Sequence, residues 1–308
     1  MKKNISIFVL VLFVLLANAQ EVKVTSGKVI RFENFKSKNI DARNVDVWLP
    51  DGYTNKEKYA VLYMHDGQSL FDAESSWNKQ AWEVDEVSGK LIAEGKTQKF
   101  IVVGIWNNGA KRHPEYFPQK PYESLTQTQK DTITIQLQKA GRTKEKFTPY
   151  SDLYLKFLVM ELKPFIDTNF STKKNKKNTF IAGSSMGGLI SMYAICEYPK
   201  VFSGAACLST HWTGIFSANN NPIPDAFITY LKTKLPNPKN HKIYFDYGDQ
   251  TLDSLYKPFQ EKVDVVMKAK GFTPKNWETK FFPGENHSEK SWSKRLDIPL
   301  LFFLKNKQ

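Results

Sequence analysis

Cysteine is scarce in this chain of 308 residues, which holds only Cys196 and Cys207. Two cysteines exclude a framework of several disulfides, although these two could still pair in an oxidising compartment. We expect free thiols, because Cys196 falls on a predicted helix and Cys207 within a predicted strand, where each would serve as a small apolar residue. No internal repeat is visible, so nothing indicates a repeat architecture.

Acidic residues are fewer than basic ones, with 31 Asp and Glu against 44 Lys and Arg, which gives a formal net charge of +13. Such an excess could indicate nucleic-acid binding. The lysines are scattered, however, as in residues 173–177, and no nucleic-acid motif accompanies them. We therefore predict no nucleic-acid partner and interpret the lysines as solvated side chains of an exported protein, with attraction to an acidic polysaccharide or an anionic ester as the alternative.

No apolar run is long enough to span a membrane. The run at residues 5–16 is too short for that, but it follows Lys2 and Lys3 and precedes three small residues at 17–19. This pattern predicts a cleavable signal peptide over residues 1–19. We expect the mature chain to begin at about Gln20, to have no transmembrane segment and to be secreted or periplasmic.

Residues 20–308 have the length of one large α/β domain. Apolar segments typical of strands alternate with helical patterns, and the helices are predicted at 151–169, 189–195, 254–270 and 297–304. This alternation predicts a mostly parallel central sheet with helices on both faces, preceded by an antiparallel edge formed by the first two strands. The predicted strands lie at residues 29–32, 45–49, 59–64, 100–105, 179–182, 202–208, 242–246 and 277–282.

Residues 181–188, Ile-Ala-Gly-Ser-Ser-Met-Gly-Gly, place one serine where a predicted strand turns into a predicted helix. This Gly-x-Ser-x-Gly context is typical of a nucleophile elbow with Ser185 at its tip. Glycines on both sides leave space for a strained serine backbone. The helix starts below the serine, so the amide of Met186 would face a negative charge forming on a bound carbonyl oxygen.

A serine needs a histidine to take its proton and a carboxylate to orient that histidine. Of the five histidines, His287 is best placed, in a polar turn after the strand at 277–282. Asp249 and Asp253 both follow the strand at 242–246. We favour Asp253, although it could instead cap the next helix. The order Ser185, Asp253, His287 is that of the α/β-hydrolases.

A second oxyanion donor is expected after the strand at 59–64, where the bend at Gly67 would aim the Gln68 amide at the site. We interpret His65 as structural and expect Asp66 to point away. Substrate contacts are predicted for side chains that leave strand ends: Trp106, Arg112, His211 and Trp212. The polar segment 119–149 is long enough to form a lid or rim.

The chain resembles the esterase D-like branch of the α/β-hydrolases, also called the Putative esterase family, which includes feruloyl, acetylxylan and enterochelin-type esterases. The resemblance implies an α/β-hydrolase fold and ester hydrolysis through an acyl-enzyme, without metal or cofactor. We expect an acyl ester of carbohydrate as substrate. A siderophore esterase and a non-catalytic carbohydrate-binding protein are the alternatives, and an acyltransferase would use the same residues. The matching stretches lie at 65–72, 103–105, 112–116, 183–188, 251–253 and 284–287.

Overall fold

The computed structural model describes residues 22–306, so the predicted signal peptide lies outside the described residues. Eight strands form one sheet in the order β1-β2-β4-β3-β5-β6-β7-β8. In chain order they are β1 (Lys28–Phe35), β2 (Arg43–Leu49), β3 (Ala60–His65), β4 (Phe100–Ile105), β5 (Thr179–Ser184), β6 (Gly204–Leu208), β7 (Lys242–Tyr247) and β8 (Trp277–Phe281).

The sheet is parallel except at one edge. β1 pairs antiparallel with β2, and β2 pairs antiparallel with β4, whereas the strands from β4 to β8 pair in parallel. Central strands such as β3 and β5 are buried along their whole length, as expected of strands that are covered on both faces. The predicted α/β fold and its antiparallel edge are confirmed.

Helices cover both faces of the sheet. Side chains of β3 alternate between two cores, with Val61 and Tyr63 in one and Leu62 and Met64 in the other. The helices are α1 (Val84–Ala93), α2 (Arg112–Tyr116), α3 (Gln119–Glu123), α4 (Gln127–Lys139), α5 (Ser151–Phe157), α6 (Lys163–Asn169), α7 (Met186–Glu197), α8 (Ile223–Lys234), α9 (Lys257–Ala269), α10 (Glu289–Ser293) and α11 (Asp297–Leu304).

Three predicted segments differ from what the structure shows. The helix predicted at 151–169 is interrupted by one π-helical turn, Leu158–Leu162, between α5 and α6. The helix predicted from residue 254 begins at Lys257, after a 3₁₀ turn. The segment 119–149, expected to form a lid or rim, is largely helical: α4 begins with a capping box at Thr126 and buries Ile133 and Leu137 in the core, while Gly141 and Arg142 after it line the cavity described below.

Cys196 and Cys207 are free and buried, as expected. Burial raises the pKa of both thiols, so neither is a reactive thiolate at neutral pH. Within residues 22–306, no helix combines the length and the apolarity that a membrane span requires.

Candidate active site

Ser185 occupies a sharp turn between β5 and α7. Its backbone has φ 56° and ψ −123°, a strained conformation for a residue with a Cβ. The strand and the helix approach so closely that a Cβ on Gly183 would lie 2.7 Å from the backbone carbon of Gly187. Glycine is therefore required for space, and the serine side chain remains partly exposed above the carboxyl end of the sheet.

Asp253 and His287 form a close pair beside this turn. His287 Nδ1 lies 2.5 Å from Asp253 Oδ1, and the carboxylate is fully buried. Burial by itself would raise the pKa of Asp253, but hydrogen bonds from His287, Ser209 and the Gly248 amide outweigh it and hold the pKa below its usual value. The carboxylate fixes the proton on Nδ1, so Nε2 is left free to accept another.

The other candidate acid has a different role. Asp249 is partly exposed and accepts hydrogen bonds from the Gly284 amide and the Gln250 side chain, so it braces the two loops against each other. Asp253 is not the cap of the next helix, because α9 begins at Lys257 with Tyr256 as the residue before it. The arrangement supports Asp253 as the partner of His287.

Ser209, which the sequence analysis missed, supports the buried acid. Its hydroxyl donates to Asp253 Oδ2 at 2.6 Å and accepts from Trp292 Nε1 at 2.9 Å and Arg295 Nη2 at 3.0 Å. Arg295 also contacts Asp246 Oδ1 at 2.9 Å. The available signal was the position of Ser209, directly after β6 at the carboxyl edge of the sheet.

Tyr256 was also missed, and it lies next to the nucleophile. Burial raises the pKa of Tyr256 well above its usual range, and the interaction with the Ser185 side chain partly opposes this effect. The Tyr256 hydroxyl lies 2.8 Å from His211 Nδ1. Within residues 22–306, the hydrogen bonds of His287 go to Thr251 and Asp253.

The two residues predicted to supply oxyanion amides both follow strand ends. Met186 is the first residue of α7, and its N–H is among those that a helix leaves without an internal acceptor. Gln68 lies in a 3₁₀ turn, Gly67–Ser69, directly after β3. A Cβ on Gly67 would lie 2.6 Å from the carbonyl carbon of Gly104, so a glycine is needed for this turn to pack against β4.

The expectation that Asp66 points away is wrong. A Cβ on Gly187 would lie 3.3 Å from Asp66 Oδ2, so the carboxylate lies beside the elbow. Arg112 neutralises it through two hydrogen bonds of 2.7 and 2.8 Å, and Asn107 adds a third. Burial would raise the pKa of Asp66, but the Arg112 charge outweighs this effect and lowers it. Arg112 thus reaches the cavity as the partner of Asp66 and not as a free cation.

His65 has the structural role expected of it. Its ring is buried, and Nδ1 lies 2.7 Å from the Tyr154 hydroxyl. Burial lowers the pKa of His65 to about 3, so the ring is neutral at physiological pH.

Residues 40–297 match the family described as "Putative esterase". The chain belongs to this esterase family. It is 28% identical over 255 residues to an "Endo-1,4-beta-xylanase/feruloyl esterase" of Xylanibacter ruminicola, and the alignment covers 80% of the chain but only 28% of that longer protein. The esterase is therefore a carboxylic ester hydrolase.

Solved structures of low sequence identity share the α/β-hydrolase fold of the esterase. A ferulic acid esterase has a TM-score of 0.63 at 18% identity, with 90% of this chain and 98% of that chain covered. The ferric enterobactin esterase of Salmonella typhimurium has a TM-score of 0.62 at 16% identity, with 92% of this chain and 60% of that chain covered.

The cavity of the esterase has two parts. The main cavity, of about 770 Å³, is lined by Ser185, His287 and Gln68 together with Trp77 and Trp292. A side chamber of about 210 Å³ adjoins it, and Gly109, Arg112 and Arg142 line both. Its other lining residues are Ala110, His113, Gly141, Met186, His211 and Phe216. Within residues 22–306 of the esterase, no group of His, Cys, Asp and Glu side chains could hold a metal ion.

Neither of the two tryptophans predicted to contact substrate lines the cavity of the esterase. Trp106 donates from Nε1 to Asp46 Oδ2 at 2.8 Å and stacks under Arg31. Trp212 is 1% exposed and donates to Gln260 within the core. Both predictions of substrate contact are corrected, because each indole is held by partners away from the nucleophile.

The tryptophans that line the main cavity, Trp77, Trp82 and Trp292, were not predicted from the sequence, and Trp77 is the exposed one among them. Its side chain is 86% exposed and lines the main cavity of the esterase. A tryptophan in a polar loop after a strand end was the available signal, because tryptophan, with a large apolar ring and a polar N–H, is enriched at binding surfaces.

Proposed function

We propose that the protein is an exported serine esterase in which Ser185, His287 and Asp253 act as a catalytic triad on acyl esters of carbohydrate. The observation that carries the proposal is the buried Asp253 carboxylate, 2.5 Å from His287 Nδ1, next to a strained serine that lines the same cavity as the histidine. The sequence pattern of residues 1–19 supports export.

The reaction proceeds in two halves. His287 Nε2 takes the Ser185 proton as Oγ attacks the ester carbonyl, and the amides of Met186 and Gln68 stabilise the oxyanion. The histidine then gives the proton to the leaving alkoxide, which departs as an alcohol and leaves an acyl group on Ser185. Water attacks this acyl-enzyme with His287 again as base, which releases the acid and restores the serine.

The main cavity, which combines polar side chains with aromatic ones, suits a sugar-linked leaving group. Trp77 offers an exposed aromatic face at this cavity, while Trp82 and Trp292 pack together below it with ring centroids 5.2 Å apart. Aromatic faces bind the apolar faces of sugars. The relative from Xylanibacter ruminicola is named in part a feruloyl esterase, which supports feruloyl esters as substrates.

Two alternatives are less well supported. A siderophore esterase was considered because Arg112 would attract an anionic chelate, but its charge is already neutralised by Asp66. A non-catalytic carbohydrate-binding protein would not require the buried carboxylate that orients His287.

The test is replacement of the nucleophile. Ser185→Ala should lower kcat on a p-nitrophenyl ester by about 10⁴-fold or more, because the acyl-enzyme can no longer form. A fluorophosphonate probe should label the wild-type protein at Ser185 and leave the variant unlabelled, with peptide mass spectrometry as the measurement. Unchanged far-UV circular dichroism serves as the control for folding. A variant that keeps a tenth of the wild-type rate would contradict the proposal.

A further inference from the structure

Lysines that are scattered along the sequence are brought together by the fold at the edge of the sheet opposite the nucleophile. The six strands β3 to β8 run in parallel, so the connections that lead into them meet at one edge, and the connections that leave them meet at the carboxyl edge. We call the entering connections the basal face. They are residues 50–59, 94–99, 170–178, 198–203, 235–241 and 270–276.

The basal face is one continuous surface, because hydrogen bonds join each connection to a neighbour. Adjacent strands lie about 4.8 Å apart, so six strands spread this surface over roughly 24 Å, a length that suits a polymer better than a small ion. The joining contacts are Lys173 Nζ to Gln98 Oε1 (2.8 Å), Lys173 N–H to the Tyr59 carbonyl (2.8 Å), Ser203 Oγ to the Lys177 carbonyl (3.3 Å), His241 Nε2 to the Pro199 carbonyl (2.8 Å) and Asn276 Nδ2 to the Pro238 carbonyl (2.6 Å).

This surface is strongly basic. Its six connections hold twelve lysines and only three acidic residues, Asp51, Glu57 and Glu94. Glu57 and Glu94 form ion pairs with Lys99 and Lys96, so these four charges cancel within the surface. Among residues 22–306, the lysines of the basal face that are exposed and have no ion pair are Lys56, Lys58, Lys174, Lys177, Lys200, Lys239, Lys270 and Lys275.

The carboxyl edge has the opposite charge. The connections that run from β3, β4, β6, β7 and β8 to the next helix hold seven acidic residues and two lysines, and the turn after β5 is Ser185 alone. Lysines that served solubility alone would be spread over both edges. Helix dipoles do not explain the contrast, because the lysines in the last turns of the helices that lead to the basal face lie outside this count: Lys90, Lys232, Lys234 and Lys268.

The composition of the basal face indicates the kind of polyanion that fits it. The face contains no arginine, the residue that favours bidentate recognition of single phosphate or carboxylate groups. Among residues 22–306, none of the exposed large apolar side chains lies in these connections, so the face has nothing to insert into a bilayer or to stack on bases. These features fit a long chain of hydrated carboxylates, as in an acidic polysaccharide.

We propose that the basal face binds acidic polysaccharide through charge and leaves the carboxyl edge free to reach esters on neighbouring chains. A polyanion is attracted to the lysines and repelled by the acidic connections around the nucleophile, so it binds away from the catalytic site. Attachment to the polymer raises the local concentration of ester around the enzyme. The binding uses no residue of the catalytic site, so this proposal can fail while the esterase proposal stands.

Binding to immobilised polygalacturonate measures the interaction, with immobilised neutral dextran as the blank. Wild-type protein should bind at low ionic strength, and log Kd should rise linearly with log salt concentration, because each lysine contact releases counterions. The basal variant combines Lys174→Glu, Lys177→Glu, Lys200→Glu and Lys239→Glu. It should bind about tenfold more weakly or worse and show a smaller salt slope, since four contacts are lost.

A matched control reverses four exposed lysines without ion pairs outside the basal face. It combines Lys36→Glu, Lys38→Glu, Lys139→Glu and Lys146→Glu. The two variants have the same net charge, so attraction to net charge alone would weaken both equally. The control should lose about twofold at most, because salt screens charges that do not touch the polymer. Both variants should keep the wild-type kcat/KM on a p-nitrophenyl ester, which shows that they are folded.

Two kinds of result would overturn the proposal. Wild-type protein that does not bind polygalacturonate at low salt, or equal losses in the basal and control variants, would show that the face is not a binding surface. Stronger binding of wild type to vesicles of phosphatidylglycerol and phosphatidylcholine, or to a DNA duplex, at equal concentration of anionic groups would show that its partner is not a polysaccharide.

Discussion

A single buried carboxylate determines how this site is organised at the residue scale. Asp253 accepts hydrogen bonds from His287, Ser209 and the Gly248 amide, and its pKa stays below the usual value in spite of burial. Three donors satisfy both oxygens, so the carboxylate remains ionised and orients the imidazole.

Replacement of each aspartate by asparagine should therefore show which of the two orients His287. Asp253→Asn removes the charge and permits the wrong tautomer of His287, so kcat should fall by about 10⁴-fold. Asp249→Asn is the matched control, because it makes the same chemical change in a residue that only braces the Gly284 loop. Steady-state kinetics on a p-nitrophenyl ester measures both. If Asp249→Asn were the slow variant and Asp253→Asn nearly normal, the assignment of the acid would be wrong.

Residue types and strand order predicted the candidate site better than they predicted side-chain directions. Ser185, Asp253 and His287 follow strand ends that the sheet brings together, so their approach could be anticipated from the strands alone. Trp106 and Trp212 follow strand ends as well, but Asp46 and Gln260 hold their indoles away from the cavity. Such partners are distant in sequence and leave no local pattern.

At the scale of elements, the loops that follow the strands line the cavity, and the helices hold these loops in place. Apolar runs revealed the sheet, because buried parallel strands are apolar throughout. The start of α9 was placed too early, since a 3₁₀ turn carrying Asp253 has a composition similar to that of a first helical turn. The sequence analysis did not predict α4. Most of its side chains are polar and only Ile133, Thr134 and Leu137 are buried, so its apolar pattern is weak.

The loop between β3 and α1 should govern recognition of the leaving group. Trp77→Ala removes an exposed aromatic face at the main cavity, so KM for an acylated xylo-oligosaccharide should rise about tenfold while kcat/KM for a p-nitrophenyl ester stays unchanged. Phe281→Ala is the control, because that aromatic side chain is 44% exposed and lines neither part of the cavity. Equal KM values for the oligosaccharide in Trp77→Ala and wild type would show that the loop does not bind sugar.

At the scale of the whole molecule, buried neutral histidines link stability to pH. Burial lowers the pKa of His65 and of His113 to about 3, and it lowers the pKa of His211 well below its usual value. An unfolded chain binds protons at these residues below about pH 6.5, whereas the native protein does not. Their contribution to stability is therefore complete above pH 6.5 and is lost as the pH falls toward 3.

His113 allows the contribution of one buried histidine to the pH dependence of stability to be measured. His113 contacts the Gly214 carbonyl through Nε2 at 3.0 Å, and His113→Gln keeps an N–H donor near that position without a titrating group. Asp85, whose pKa burial raises to about 7, changes stability with the opposite sign in the same range, so the wild-type slope alone is not diagnostic. The difference between wild type and variant is diagnostic, because Asp85 contributes equally to both.

Between pH 8 and pH 5, urea unfolding should show wild type losing about 2 kcal/mol more stability than His113→Gln. Parallel profiles would mean that His113 is protonated in the native state and that its burial does not govern acid stability.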